Sequence, residues 1–125
     1  MHENEITEII VDKSYNIHYK LGAGLFESVY EEILDYELKK SGLLVERQKP
    51  IPVIWNDMKM EIGFKADLII EQKVIIEVKS VELISDIHKK QLLTYLKLTG
   101  LKVGLLINFN VKLIKDGIHR IANKI

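Results

Sequence analysis

The chain has 125 residues, 47% of them hydrophobic and 29% charged, and its 18 basic and 18 acidic side chains give a formal net charge of zero. This composition is that of a soluble globular protein, and we expect residues 1–125 to form one domain that is not a strongly basic, nonspecific nucleic-acid binder. The chain has no cysteine, which excludes disulfides and thiolate chemistry and is compatible with a reducing cytoplasm. With no long apolar run and no signal-like N-terminus, we expect no membrane association.

Two amphipathic helices are predicted in the first third of the chain. Apolar residues recur at helical spacing over residues 4–20, and Gly22 and Gly24 then mark a turn. A second helix is predicted over residues 25–40. Glu27 lies in its first turn, where a carboxylate complements the helix dipole by roughly 0.3–1 kcal/mol. The later acidic residues are interpreted as a solvated face: Glu31, Glu32, Asp35 and Glu37.

Strand-like segments follow at residues 43–46 and 51–55. Pro50 and Pro52 limit ladder hydrogen bonding, which favours a position at the edge of a sheet. Trp55 stands beside a turn and is interpreted as half-buried packing in preference to a residue that stacks on a base.

A hairpin is predicted between residues 64 and 81, with a polar loop at residues 71–73 joining two runs rich in Val, Ile and Phe. A three-residue loop would place Asp67 opposite Glu77 on one face, whereas a two-residue loop would put them on opposite faces. Lys79 shares the face of Glu77 in either register. The other face is apolar and suits a core: Leu68, Ile70, Ile76 and Val78.

Paired carboxylates among apolar neighbours need compensation. Two half-buried carboxylates repel each other unless a cation lies between them. Lys79 supplies one positive charge, and oxygen ligands in an open cleft suit Mg²⁺ or Mn²⁺. A salt-bridged strand pair at the rim of a sheet is the alternative interpretation.

A further helix is predicted to begin at Ser85 or Asp86 and to end before Gly100. Gln91 and Tyr95 are spaced i, i+4 and therefore share one face of it. Three side chains at its N-terminal end are candidates for phosphate contact, with a solvated run as the alternative. They are His88, Lys89 and Lys90.

The last third of the chain predicts a buried parallel strand over residues 101–109 and a short hairpin or strand over residues 112–122. The expected fold class is therefore α/β, with an α-β-β-β-α-β core and a mixed central sheet flanked by helices.

Two motifs resemble known families. An acid at Asp67, followed ten residues later by Glu77-Val78-Lys79, is similar to the signature of the PD-(D/E)XK nuclease superfamily, although Ala66 replaces the motif's proline. The segment from Gly24 to Tyr30, Gly-Leu-Phe-Glu-Ser-Val-Tyr, resembles the G-x-x-E-x-x-Y motif of the bacterial GxxExxY family, which is placed in that superfamily. Further similarity lies at residues 21–24, 46–48, 91–100 and 104–110.

The resemblance implies a restriction-endonuclease-like fold and a nuclease that uses Mg²⁺ or Mn²⁺ to cleave DNA. It implies that Asp67, Glu77 and the Val78 carbonyl hold the metal. Lys79 would position or help deprotonate the attacking water, and Glu27 would be a third acid at the metal.

Gln91 and Tyr95 also resemble a pattern in the exonuclease domains of bacterial recombination helicases. That likeness implies that Gln91 orients a metal-bound water, Lys79 or a phosphate, and that Tyr95 supports the DNA backbone. Packing of the helix on the sheet is the alternative for both. A binding module that keeps the fold without turnover is the alternative function. A homodimer is a further expectation, because a domain of this size needs a partner chain to cut both strands at once.

Overall fold

The structure is a computed structural model that describes residues 1–124, except for the side chains of residues 61 and 62; Ile125, the end of the predicted domain, lies outside the described residues. Its elements in chain order are α1 (Glu3–Leu21), α2 (Glu27–Lys40), β1 (Val45–Trp55), β2 (Met58–Ile70), β3 (Val74–Lys79), α3 (Asp86–Thr99), β4 (Val103–Asn108), a 3₁₀ turn (Ile114–Asp116) and β5 (Ile118–Ala122). The order from α2 to β4 confirms the predicted α-β-β-β-α-β core.

The strands form one mixed sheet in the order β1-β2-β3-β4-β5. Only β3 and β4 are parallel among these neighbours, and α3 is the crossover that joins them. The two strands predicted at residues 43–46 and 51–55 are a single edge strand, β1, whose register shifts between Ile51 and Val53. The edge position agrees with Pro50 and Pro52, which cannot donate ladder hydrogen bonds.

Helices cover both faces of the sheet, so there are two apolar clusters. Helices α1 and α2 pack on one face, against the apolar set predicted for the hairpin: Leu68, Ile70, Ile76 and Val78. Helix α3 packs on the other face, where Leu92 and Leu96 contact the cluster that contains Ile69, Ile75 and Leu106. The sheet is therefore the central layer, and polar groups on it are screened from water from both sides.

The side chains of the β1–β2 ribbon switch from one face of the sheet to the other near Asp67. Leu68 belongs to the α1–α2 cluster and Ala66 to the α3 cluster, although residues two apart share a face in a regular strand. Gln48 lies between residues that pair with Leu68 and Ala66, opposite Asp67, and has a left-handed backbone with φ of +50°. Asp67 therefore stands where the ribbon turns over, between the two helical layers.

Helix α3 begins and ends as its capping residues predict. Ser85 is the N-cap, and the Nδ1 atom of His88 accepts a hydrogen bond from the Ser85 N–H at 3.1 Å. Gly100 ends the helix in a left-handed conformation with φ of +73°.

Among the described residues, no helix is both long and apolar enough to cross a bilayer.

Candidate active site

Asp67 and Glu77 face each other where the β2–β3 ladder stops. The ladder pairs Ile70 with Val74 and ends at Leu68 and Ile76, which is the register of the three-residue loop. Beyond it the two acidic side chains replace ladder bonds. The Asp67 N–H donates to Oε2 of Glu77 at 2.8 Å, and the Val78 N–H donates to Oδ2 of Asp67 at 2.8 Å. Each carboxylate is thus fixed by the backbone of the opposite strand.

Burial makes this pair of carboxylates electrostatically costly. Glu77 is only 6% exposed, and this burial, together with the Asp67 carboxylate, raises the pKa of Glu77 to about 8. Burial also raises the pKa of Asp67, and the charge of Glu31 adds to the effect. The Lys79 ammonium acts in the opposite direction on both acids but does not cancel their burial.

Glu31 and Gln48 extend the site, although neither was predicted to belong to it. Glu31 is 6% exposed, so the prediction that it belongs to a solvated face is wrong. Its Oε2 atom accepts a hydrogen bond from Nε of Arg47 at 2.6 Å. Nε2 of Gln48 donates to Oε1 of Glu31 at 2.9 Å and to Oδ1 of Asp67 at 3.2 Å. Helical spacing carried a signal, because Glu31 falls three residues before the buried Leu34.

Glu27 is placed at the end of β3. Its Oε2 atom accepts a hydrogen bond from the Ser80 N–H at 3.1 Å. The Ser80 hydroxyl donates in turn to the Leu25 carbonyl at 2.7 Å. Within the described residues, no group of three or more His, Cys, Asp or Glu side chains forms a metal-binding cluster. Glu27 therefore holds the segment that follows Lys79.

Asn108 closes the same segment from the other side. It lies opposite Lys79 in the β3–β4 ladder and is 2% exposed. Its side-chain amide forms two hydrogen bonds with Val81, donating to the carbonyl at 2.9 Å and accepting from the N–H at 3.0 Å. β3 ends at Lys79 instead of the predicted residue 81, because a side chain takes over the pairing. The sequence signal for this role of Asn108 was a polar residue that follows the apolar run of a buried strand.

Tyr95 of α3 lies beside the site on the face of the sheet opposite to α1 and α2. Its ring stacks on Phe64 with a centroid distance of 3.5 Å. Burial, followed by the charges of Glu77 and Asp67, raises the pKa of Tyr95, so its hydroxyl senses both acids. Gln91, one turn earlier, is exposed, and no hydrogen bond joins its side chain to the residues that the structure describes.

The predicted phosphate contacts at the start of α3 have different surroundings. The His88 ring is half-buried and caps the helix through Ser85. Lys89 is half-buried, and its charge adds to the effect of burial in lowering the pKa of His119 on β5. Lys90 is exposed. All three lie on the first two turns of the helix that carries Tyr95.

This arrangement defines a class of protein. A mixed sheet of α-β-β-β-α-β order that carries an acid on one strand and Glu-x-Lys on the next is restriction-endonuclease-like. The profile of the PD-(D/E)XK nuclease superfamily matches residues 4–121, and the chain belongs to this superfamily. Membership suggests nuclease activity on nucleic acid, and PD-(D/E)XK nucleases generally use divalent metal ions. No curated protein and no solved structure matches the chain.

The side chains at this site fit such an ion. Asp67 and Glu77 supply carboxylate oxygens and the Val78 backbone supplies a carbonyl, which are hard ligands of the kind that Mg²⁺ and Mn²⁺ prefer. Burial first, and the Asp67 charge second, raise the pKa of Glu77, and a divalent cation bound between the two acids would offset both effects. Asp67, Glu77 and Val78 are therefore the residues that could hold a metal.

Proposed function

We propose that the protein is a Mg²⁺-dependent nuclease, also served by Mn²⁺, that hydrolyses phosphodiester bonds in DNA. The observation that carries the proposal is the meeting of Asp67 and Glu77 at the end of the β2–β3 ladder. Lys79 stands two residues further along β3, where its charge acts on both acids. Two acids and an amine thus lie near this end of the β2–β3 ladder, which supports metal-dependent hydrolysis of a phosphodiester.

Each of these residues has a role in the proposed reaction. Asp67, Glu77 and the Val78 carbonyl would hold the metal, and a bound metal would supply Lewis-acid polarisation of the scissile phosphate and a lower pKa for water. Lys79 positions the attacking water or helps its deprotonation through its positive charge, and the same charge offsets the negative charge that develops on the phosphate. Glu27 acts as an auxiliary acid at the end of β3. On α3, Gln91 orients water or phosphate beside the acids.

The nucleic acid is proposed to approach along α3. Tyr95 presents its hydroxyl near the acids, where it can support the DNA backbone. His88, Lys89 and Lys90 continue this side at the start of the helix, whose N-terminus favours phosphate. We further propose that the chain belongs to the GxxExxY group on the strength of residues 24–30, and that it works in the cytoplasm.

The test is cleavage of linear, supercoiled and single-stranded DNA, with an RNA of the same sequence, in Mg²⁺ or Mn²⁺. Wild-type protein should cut only with metal present, and Glu77→Gln and Lys79→Met should each reduce the rate by about 10²–10³-fold. Glu82→Gln and Lys102→Met change the same chemical groups at exposed positions and should cut as wild type does.

The products also report on assembly. Linear plasmid formed without a nicked precursor would support a homodimer that cuts both strands, whereas accumulation of nicked circles would indicate one active site per encounter. If wild type and variants were equally inert on every substrate while the protein still bound Mn²⁺, the active-nuclease proposal would fail. The binding module would then be the better account.

A further inference from the structure

Each oxygen of the Asp67 carboxylate accepts a hydrogen bond, and one of the two donors also binds a residue of α2. Oδ2 of Asp67 accepts from the Val78 backbone, and Oδ1 accepts from Gln48, which also binds Glu31. We propose that Gln48 and Glu31 act as positioning residues that orient the Asp67 carboxylate for a divalent metal. This inference rests on the proposed function and concerns the same site.

The backbone of Gln48 is shaped for this contact. Its φ of +50° lies in the left-handed region, which is unfavourable for non-glycine residues and is found most often at functional sites. It stands opposite Asp67, at the level where the β1–β2 ribbon changes faces. The strained residue and the amide that binds Asp67 are thus the same residue.

Glu31 fixes which end of the Gln48 amide faces Asp67. A glutamine amide has one donor end and one acceptor end, and it can flip between them. Because Glu31 and Asp67 are both acceptors, only the NH₂ end satisfies the two carboxylates, at 2.9 and 3.2 Å. Without the Glu31 charge, the amide would lose the partner that excludes the flipped orientation.

Arg47 offsets the electrostatic cost of burying Glu31. Its Nε lies 2.6 Å from Oε2 of Glu31, so the carboxylate is paired on one oxygen while the other accepts from Gln48. A buried carboxylate without such partners would be strongly unfavourable. The unit formed by Arg47, Glu31 and Gln48 therefore places a hydrogen-bond acceptor behind the amide, and it ties α2 to β1 and β2.

The experiment measures binding of Mn²⁺ alone by isothermal titration calorimetry. Gln48→Met keeps the length of the side chain but removes both hydrogen bonds, and Glu31→Gln removes the charge. We expect each variant to weaken Mn²⁺ binding by about tenfold or more, as loss of the groups that orient metal ligands does. The Mg²⁺ concentration for half-maximal cleavage should rise equally, while the rate at saturating metal recovers.

The matched control is Glu46→Gln, which removes the same charge from another pair on β1, the one with Lys49 at 2.9 Å. It should bind Mn²⁺ as wild type does, whereas a purely structural role would make all three variants alike in metal affinity. If Glu31→Gln does not fold because Arg47 is left unpaired, Gln48→Met decides alone. Wild-type binding with unchanged affinity in Gln48→Met would overturn the inference and leave the proposed function intact. A wild type that binds no Mn²⁺ would overturn both.

Discussion

At the scale of single residues, Glu77 carries the largest uncompensated cost in the site. Its carboxylate is 6% exposed and shares its surroundings with Asp67, while the Asp67 N–H and the Lys79 charge offset only part of the burial. Groups with strongly perturbed pKa values are concentrated at functional sites. The raised pKa of Glu77 therefore links protonation, metal binding and stability through one side chain.

We predict that Glu77→Gln will flatten the dependence of stability on pH in metal-free protein. Burial raises the pKa of Glu77 from its ordinary value of 4.5 to about 8, so the folded state binds the proton more tightly than the unfolded state. The stabilisation by this proton is complete below about pH 4.5 and is lost as the pH rises through about 8, by at most ~1.4 kcal/mol per pH unit.

Urea unfolding in EDTA, at several pH values across that window, measures this effect. The free energy of unfolding of wild type should fall more steeply with pH than that of Glu77→Gln, because glutamine cannot ionise. Glu82→Gln, at an exposed position, should follow the wild-type slope. Parallel slopes for wild type and Glu77→Gln would show that Glu77 ionises normally in the folded protein.

At the scale of elements, the connection between α1 and α2 is fixed by the helix that follows it. Gly22 and Gly24 have φ of +69° and +101°, conformations that favour glycine. The Tyr30 hydroxyl donates to the Gly22 carbonyl at 2.6 Å and accepts from the Leu25 N–H at 3.2 Å, while its ring stacks on Phe109. The connection is therefore held in the position from which Glu27 reaches Ser80.

We predict that Tyr30→Phe will destabilise the protein by about 1–3 kcal/mol, because the Gly22 carbonyl and the Leu25 N–H lose a partner next to a fully buried ring. The aromatic stack is kept, so the change isolates the hydroxyl. Urea unfolding measures the loss. Tyr36→Phe removes the same hydroxyl from an exposed position on α2 and should cost less than about 0.5 kcal/mol. Equal effects of the two substitutions would contradict a role for the Tyr30 hydroxyl in holding this connection.

At the scale of the whole molecule, the features that were predictable from sequence depend on local patterns. The three-residue loop after Ile70 sets the register that joins Asp67 to Glu77, and the ladder confirms it. Ser85 and Gly100 delimit α3 because capping chemistry acts within one turn. The continuous apolar run before Asn108 indicated a buried parallel strand, which β4 is.

The features that escaped prediction depend on distant partners. The spacing of Glu31 from Leu34 indicated its buried face, but its partners Arg47 and Gln48 lie on β1, and nothing in α2 indicates them. The left-handed backbone conformation at Gln48 could not be predicted from residue type, because the residue is not glycine. Trp55 was expected to be half-buried but is 67% exposed, because it lies at the end of the long β1–β2 ribbon, where the helical layers do not cover it.

Metal should stabilise the whole fold, and more strongly at high pH than at low pH. Below the pKa of Glu77, about 8, a metal must displace a proton from this carboxyl group, which weakens binding by up to about tenfold per pH unit. A ligand that binds only the folded state stabilises it by about 2.7 kcal/mol at a hundredfold excess over Kd. Thermal unfolding with and without Mn²⁺ should therefore show a larger rise in Tm near pH 8 than near pH 6. Asp67→Asn should lose the rise at both pH values, whereas Glu82→Gln should keep it. An equal rise at the two pH values would separate metal binding from Glu77, and a rise that survives in Asp67→Asn would place the metal elsewhere on the molecule.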